Sequence, residues 1–166
     1  YTSAQGDPAA RRAIADDLRV RCHAEVDPSL LYLTAGAAAS LTISLTAILN
    51  PGDEVILLAP FFPEYRVFVE RAGGRVVTVA PDPVSFLPDF DALERAISPR
   101  TRALILNSPN NPSGAILPPD GLRRLCGILG EGQRTNGQPI WLISDEPYRE
   151  IVFRGFAVPW LPHYYE

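Results

Sequence analysis

Two stretches of the sequence carry most of the information about the fold: LILNSPNNPSG at residues 104–114 and WLISDEPY at residues 141–148. Each is an apolar run that ends abruptly in amides, prolines or carboxylates. An uninterrupted apolar run is typical of a strand that is covered on both faces of a parallel sheet. We therefore predict that both runs are buried strands and that the polar residues after them lie at one edge of the sheet.

Three further apolar runs predict strands of the same sheet. They are SLLYLTAG (29–36), DEVILLAP (53–60) and RVVTVA (75–80). Helical patterns alternate with the strands, and the first of them begins at the cap-and-proline pair Asp7-Pro8. The apolar positions expected on the helix faces are Ile14, Leu18 and Cys22 in the first helix, Leu41, Leu45 and Ile48 or Leu49 in the second, and Tyr65, Phe68, Val69 and Ala72 in the third.

Two later segments, PDFDALERAI (88–97) and PPDGLRRLCGILG (118–130), also predict helices, and the polar stretch EGQRTNGQ (131–138) predicts a loop. Strands that alternate with helices require crossover connections between parallel strands. The sequence therefore predicts an α/β fold, a three-layer α/β/α arrangement around a mostly parallel sheet.

The composition limits the classes of function. The chain has 166 residues, 46% hydrophobic and 20% charged, and a net charge of −4, which is typical of a globular domain. There is no basic stripe with interleaved aromatics, so we expect no nucleic-acid partner. No apolar stretch is long enough to predict a membrane span and no signal segment opens the chain, so we expect a cytoplasmic protein. Cys22 and Cys126 are isolated in sequence and predict buried, reduced thiols rather than a metal site.

Ligands of parallel sheets bind beyond the carboxyl ends of the strands. The predicted strands deliver a short set of residues to that edge: Gly36, Ala37 and Ala38, then Phe62, then Asn107 to Asn111, then Asp145 and Tyr148. The small residues at a helix N-terminus suit a phosphate, although glycine and alanine there also allow close packing. An aromatic residue at this edge can stack on a planar ring or belong to the core. A carboxylate directly after a buried strand suggests a cationic partner, with a helix N-cap as the alternative.

Taken together, these groups describe a pyridoxal 5'-phosphate site. The small residues at the helix N-terminus would hold the phosphate, and the aromatic side chain would stack on the pyridine ring. The amide and the phenol would hydrogen-bond the ring oxygen, and Asp145 would keep the ring nitrogen protonated, so that the ring acts as an electron sink.

The chain resembles the class I/II aminotransferases of the fold type I pyridoxal phosphate family. The resemblance is carried by four segments in the family's order: LTAGAAASL (33–41), NPGDEVILLAPFFPEY (50–65), NSPNNPSG (107–114) and SDEPYREIVF (144–153). Two positions depart from the family's pattern: Ser113 stands where threonine is more usual, and Pro147 stands where a small residue is commoner. The resemblance implies that residues 1–166 are part of the pyridoxal phosphate-binding large domain.

The resemblance also implies a role for each matching position. The backbone at Gly36, Ala37 and Ala38 would hold the phosphate, Phe62 would stack on the pyridine ring, Asn111 and Tyr148 would bond the phenolic oxygen, and Asp145 would pair with the ring nitrogen. Tyr1 resembles a tyrosine that reaches the phosphate of the neighbouring subunit, which implies a homodimer. The implied substrates are an amino acid and a 2-oxo acid.

The sequence also lacks lysine, because all 15 of its Lys and Arg residues are arginine. The family's chemistry requires a lysine that forms a Schiff base with the cofactor. We therefore expect a fragment that lacks the N-terminal segment, the lysine-bearing segment and the C-terminal small domain, and that is inactive alone. Two alternatives stay open: a non-catalytic relative that keeps the pocket as a binding or interaction module, and another fold type I enzyme such as a lyase, decarboxylase or synthase. A nucleotide-binding Rossmann domain is disfavoured, since no Gly-x-Gly-x-x-Gly follows a predicted strand.

Overall fold

The computed structural model describes residues 3–153 and 155–165. The chain divides into two compact units, one ending at Ile43 (unit 1) and one beginning at Ser44 (unit 2). Among the described helices, none combines the length and the apolar character that crossing a bilayer requires.

The helices and strands alternate as the sequence predicts. The helices are α1 (Pro8–Cys22), α2 (Ala37–Ile48), α3 (Glu64–Arg71), α4 (Phe90–Ala96) and α5 (Pro119–Asn136), and the 3-10 turns are Pro28–Leu30 and Leu161–His163. The strands are β1 (Glu54–Leu58), β2 (Arg75–Val79), β3 (Thr101–Asn107) and β4 (Trp141–Asp145).

The four strands form one parallel sheet in the order β2-β1-β3-β4. Val55, Ile56 and Leu57 follow one another in β1, and all three are 0% exposed. Successive side chains of a strand point to opposite faces of the sheet, so both faces of β1 are covered. This confirms the predicted α/β fold, with helices packed around a parallel sheet.

The prediction of a fifth strand at SLLYLTAG is wrong. Pro28–Leu30 forms a 3-10 turn, and the side chain of Asp27 caps it by accepting a hydrogen bond from the backbone N–H of Ser29 at 2.8 Å. The backbone N–H of Leu33 donates to the carbonyl of Gln5 at 3.1 Å, within unit 1. The backbone of this segment thus forms hydrogen bonds in a turn and with Gln5, and not in a ladder with another strand.

The predicted loop at residues 131–138 is also largely wrong, because α5 continues to Asn136 and ends at Gly137 in the left-handed conformation. A salt bridge between Arg134 and Glu131 lies on the exposed side of this last stretch. On the other side, Gly132 is buried, and the position of a Cβ atom there is 2.9 Å from Cγ2 of Ile97 and 3.0 Å from Cδ1 of Ile140. The glycine within this polar stretch therefore allows close packing of a helix.

The predicted helix faces are partly confirmed. In α2 and the residue after it, Leu41, Leu45 and Leu49 are buried. In α1, Cys22 is buried and Leu18 is half-buried as predicted, whereas Ile14 is 39% exposed and the neighbouring Ala15 is buried in its place. Cys22 and Cys126 are buried free thiols as expected, and burial raises the pKa of Cys126 to about 11.

Replacing Gly132 by alanine tests the close packing of α5. We expect Gly132→Ala to destabilise the protein relative to Gly127→Ala by about 1 to 3 kcal/mol, because an added methyl group at 132 must displace Ile97 or Ile140. Gly127 lies in the same helix with no atom within 4 Å of the Cβ position. There the gain in helix propensity should stabilise the protein by about 0.5 to 1 kcal/mol. Urea unfolding followed by circular dichroism measures both values, and equal stabilities of the two variants would contradict the packing argument.

Candidate functional site

The carboxyl ends of β3 and β4 are paired in register, with Asn107 opposite Asp145. Because the two strands are parallel, the loops that follow them leave the sheet at the same edge. The first polar residues after the two apolar runs are therefore brought next to each other, as the sequence predicts.

Asn107 connects the two strand ends through both ends of its side-chain amide. Its Nδ2 donates to the backbone carbonyl of Asp145 at 2.8 Å, and its Oδ1 accepts from the backbone N–H of Asn111 at 2.7 Å. The residue is only 7% exposed, so these bonds replace contacts with water. The amide thereby fixes the start of both functional loops.

The loop after β3 is held by its own side chains. Asn110 accepts from the hydroxyl and the backbone N–H of Ser113, at 2.7 and 3.1 Å, and donates to the carbonyl of Pro60 at 3.0 Å. The hydroxyl of Ser108 accepts from the backbone N–H of Leu117 at 2.9 Å. A serine at 113 therefore forms the hydrogen bond that this loop needs, although it departs from the family's more usual threonine.

Asn111 and Tyr148 are brought together, since Nδ2 of Asn111 donates to the phenolic oxygen of Tyr148 at 3.2 Å. Both side chains line a cavity of about 700 Å³, whose other walls are mainly apolar. Its apolar walls include Ile116, Ile151, Phe153 and Phe156. This volume is within the range of small-molecule binding sites.

The carboxylate of Asp145 neither caps a helix nor pairs with an arginine in the described residues. Its Oδ2 accepts a hydrogen bond from the hydroxyl of Tyr65 at 2.5 Å, and the residues that follow it form a turn. Tyr65 is 2% exposed, and its burial, followed by the hydrogen bond to Asp145, raises the pKa of Tyr65 well above its usual range. The tyrosine is thus a neutral donor to the carboxylate.

Phe62 is half-buried and lies against Tyr65, with ring centroids 5.7 Å apart and an interplanar angle of 79°. The edge-to-face contact fixes the tyrosine ring from one side. Phe62 is therefore part of the same group of side chains as Asp145, through Tyr65.

Gly36, Ala37 and Ala38 belong to unit 1. Gly36 has φ +90°, α2 begins at Ala37, and all three residues are exposed. The first backbone N–H groups of a helix have no acceptor within the helix, and the side chains of Ala37, Ala38 and Ala39 at this end of α2 are methyl groups. Thr34 Oγ1 donates to the carbonyl of Gly36 at 3.0 Å and lies 2.6 Å from the hydroxyl of Ser40, which fixes the turn. Tyr1 lies outside the described residues.

Sequence reasoning missed the parts played by Tyr65 and Asn107. Tyr65 was expected only as an apolar position of a helix, and Asn107 only as the start of a polar loop. A buried tyrosine needs a hydrogen-bond partner for its hydroxyl, and a buried amide needs partners at both ends. A tyrosine or asparagine at a position predicted to be buried is therefore the sequence signal for residues such as Tyr65 and Asn107.

A family model described as aminotransferase class I and II matches residues 1–163. The aspartate/prephenate aminotransferase of Thermus thermophilus is 39% identical over 156 residues, which are 93% of this chain and 39% of that protein. A probable N-succinyldiaminopimelate aminotransferase of Mycobacterium tuberculosis is 38% identical over 92% of this chain and 38% of its own length.

Solved structures show the same relationship in three dimensions. The crystal structure of an amino transferase from Eubacterium rectale matches with a TM-score of 0.97 and 48% sequence identity, over 99% of this chain and 42% of that chain. The N-succinyldiaminopimelate aminotransferase of Mycobacterium tuberculosis matches with a TM-score of 0.90 and 36% identity. This chain thus spans about two fifths of the length of the relatives it matches.

Removing the amide of Asn107 tests its part in joining the two strand ends. We expect Asn107→Ala to lower the free energy of unfolding by about 2 to 4 kcal/mol, because a backbone donor and a backbone acceptor lose their partner. As a control, Asn136→Ala removes one bond, from Nδ2 to the carbonyl of Ser98, at a half-buried position. It should cost about 1 kcal/mol. Denaturant unfolding of both variants measures the difference, and a smaller effect at 107 than at 136 would contradict the assignment.

Proposed function

Because this chain belongs to the class I and II aminotransferases, we propose that the whole protein transfers an amino group between an amino acid and a 2-oxo acid with pyridoxal 5'-phosphate. The relatives that match are aminotransferases, and members of this family depend on that cofactor. The activity is assigned to the whole protein, because the chain covers about two fifths of these relatives.

One observation carries the proposal: the residues of unit 2 that are predicted to bind the ring form one connected group, through Tyr65, Asn107 and the backbones of Asp145 and Asn111. The path of contacts runs through Phe62, Tyr65, Asp145, Asn107, Asn111 and Tyr148. It contains an aromatic face, a carboxylate and an amide-phenol pair, which are the three kinds of group that a substituted pyridine ring requires.

Each member of this group suits a different part of the ring. Asp145 would hold a positive charge on the ring nitrogen, since a carboxylate favours the protonated form of a neighbouring base. Asn111 and Tyr148 would donate to the phenolic oxygen, and Phe62 would stack on the ring face. When it is bound, the cofactor supplies an electron-poor ring that accepts the electron pair left at the substrate's α-carbon.

The phosphate would bind at the start of α2, at the backbone of Gly36, Ala37 and Ala38. Their exposed first turn supports this assignment, because helix N-termini attract anions through their open N–H groups and the helix dipole. In unit 2, Asp145 and Tyr148 are the residues to which we assign catalytic roles. The site requires no metal ion.

The chain holds no lysine, so the amine that bonds the cofactor would come from another part of the whole protein. Residues 1–166 would then be a partial large domain, to which a lysine-bearing segment and a small domain are added. Taken alone, these 166 residues should not transaminate.

The remaining parts of the proposal concern assembly and location. The resemblance of Tyr1 to a phosphate-contacting residue of the neighbouring subunit supports a homodimer. We place the protein in the cytoplasm and in amino acid metabolism, as its substrates suggest. Light scattering of the whole protein should give about twice the monomer mass.

The purified whole protein should absorb visible light through its bound cofactor, and the absorption should shift when an amino donor is added. Borohydride reduction should leave a pyridoxyl label on a lysine, and therefore on a peptide outside residues 1–166. A colourless protein that takes up no cofactor would contradict the proposed function. A label on a side chain within 1–166 would contradict the assignment of the amine to another segment.

Removing the charge of Asp145 tests its role at the ring nitrogen. Asp145→Asn keeps the size of the side chain and an acceptor for Tyr65, so the fold should persist. The value of kcat/KM for transamination should fall by about 100-fold or more, the order found when one electrostatic group of an active site is removed. Asp120→Asn changes a carboxylate whose side chain is 91% exposed and should leave the rate unaltered. Similar rates for the two variants would refute the role of Asp145.

A further inference from the structure

Tyr65 is placed to act on Asp145 from outside the proposed ring site. It lies in α3, whereas Asp145 ends β4, so 80 residues of sequence separate the two partners. The tyrosine is 2% exposed, and its hydroxyl donates to one carboxylate oxygen of Asp145 at 2.5 Å. A bond between such distant elements fixes a side chain in the folded protein and has no role in local helix formation.

We propose that Tyr65 is a positioning residue for the cofactor's ring nitrogen: its hydroxyl holds Oδ2 of Asp145 and leaves the other carboxylate oxygen for the protonated ring. This inference rests on the proposed function and deepens it. It adds to that site a residue that does not itself touch the cofactor.

The physical reason is that a carboxylate has two equivalent oxygens and rotates about its terminal bond. A hydrogen bond to one oxygen selects the orientation of the group. Tyr65 is itself fixed, because Phe62 packs edge-on against its ring. The main-chain carbonyl of Asp145 is held separately by Asn107, at 2.8 Å. The backbone and the carboxylate of Asp145 are thus restrained by two different partners.

A positioning role of Tyr65 can be distinguished from a purely structural one, because a substitution can remove the hydroxyl and keep the aromatic ring. Tyr65→Phe keeps the buried ring and its contact with Phe62 and removes one oxygen atom. Without the hydroxyl, the carboxylate of Asp145 is free to rotate, and this freedom weakens its pairing with a protonated ring nitrogen. Binding of a ring that has no such nitrogen should be unaffected.

Two probes measure this difference without any catalytic step. Pyridoxine 5'-phosphate binds without forming a bond to lysine, and its analogue with a CH group in place of the ring nitrogen cannot be protonated there. In the whole protein freed of cofactor, calorimetric titration should show that the unaltered protein prefers the nitrogen-containing probe. Tyr65→Phe should reduce that preference about tenfold, the order expected for a hydrogen bond to a charged group. The affinity for the CH analogue should stay the same.

Tyr148→Phe is the matched control, because it removes the same hydroxyl group from another member of the connected group. It should weaken both probes by the same factor, since the phenolic oxygen is present in both. If Tyr65→Phe behaves like Tyr148→Phe, or changes neither affinity, the positioning role is refuted while the proposed function stands. If the unaltered protein shows no preference between the probes, Asp145 does not pair with the ring nitrogen. The proposed role of Asp145 and the positioning role of Tyr65 then both fail.

Discussion

The pairing of Asn107 with Asp145 at the ends of two parallel strands is the constraint on which the candidate site depends. The parallel ladder pairs the two strands residue by residue, although β3 is almost wholly buried and β4, which was predicted to be buried, is half-buried or exposed. The Asn107 amide then ties the end of β4 to the loop after β3 through two hydrogen bonds. The positions of Asp145 and Asn111 thus follow from the ladder and one buried amide.

This arrangement places polar groups in a buried environment, and each of them has a partner. The hydroxyl of Tyr65 and both ends of the Asn107 amide are hydrogen-bonded to groups that belong to other elements. A buried polar group without a partner is costly, so these bonds hold each group in one orientation. The site is therefore organised by the requirements of the folded core, in the way that a preorganised binding site requires.

The sequence was sufficient to predict whatever follows from apolar runs and helix signals: the α/β class, β1 to β4, and the polar residues at their carboxyl ends. It failed where tertiary contacts decide. SLLYLTAG has the composition of a strand, yet the backbone N–H of Leu33 within it donates to the carbonyl of Gln5. The polar stretch 131–138 suggested a loop, but it is largely helical, and Gly132 within it allows the helix to approach Ile97 and Ile140. The bond from Tyr65 to Asp145 joins positions 80 residues apart, and no local pattern indicates it.

The chemistry of the side chains also shows how the work is divided within the whole protein. In the proposed site, Phe62, Asp145 and the pair of Asn111 and Tyr148 would contact the face, the nitrogen and the oxygen of one planar ring, and none of them is an amine. The chain has 15 arginine residues and no lysine. A guanidinium group keeps its proton at every pH at which proteins work, so it can act neither as a nucleophile nor as a base. Under the proposed function, these residues would bind the ring and increase its demand for electrons, and the bond to the cofactor would require an amine from a different part of the protein.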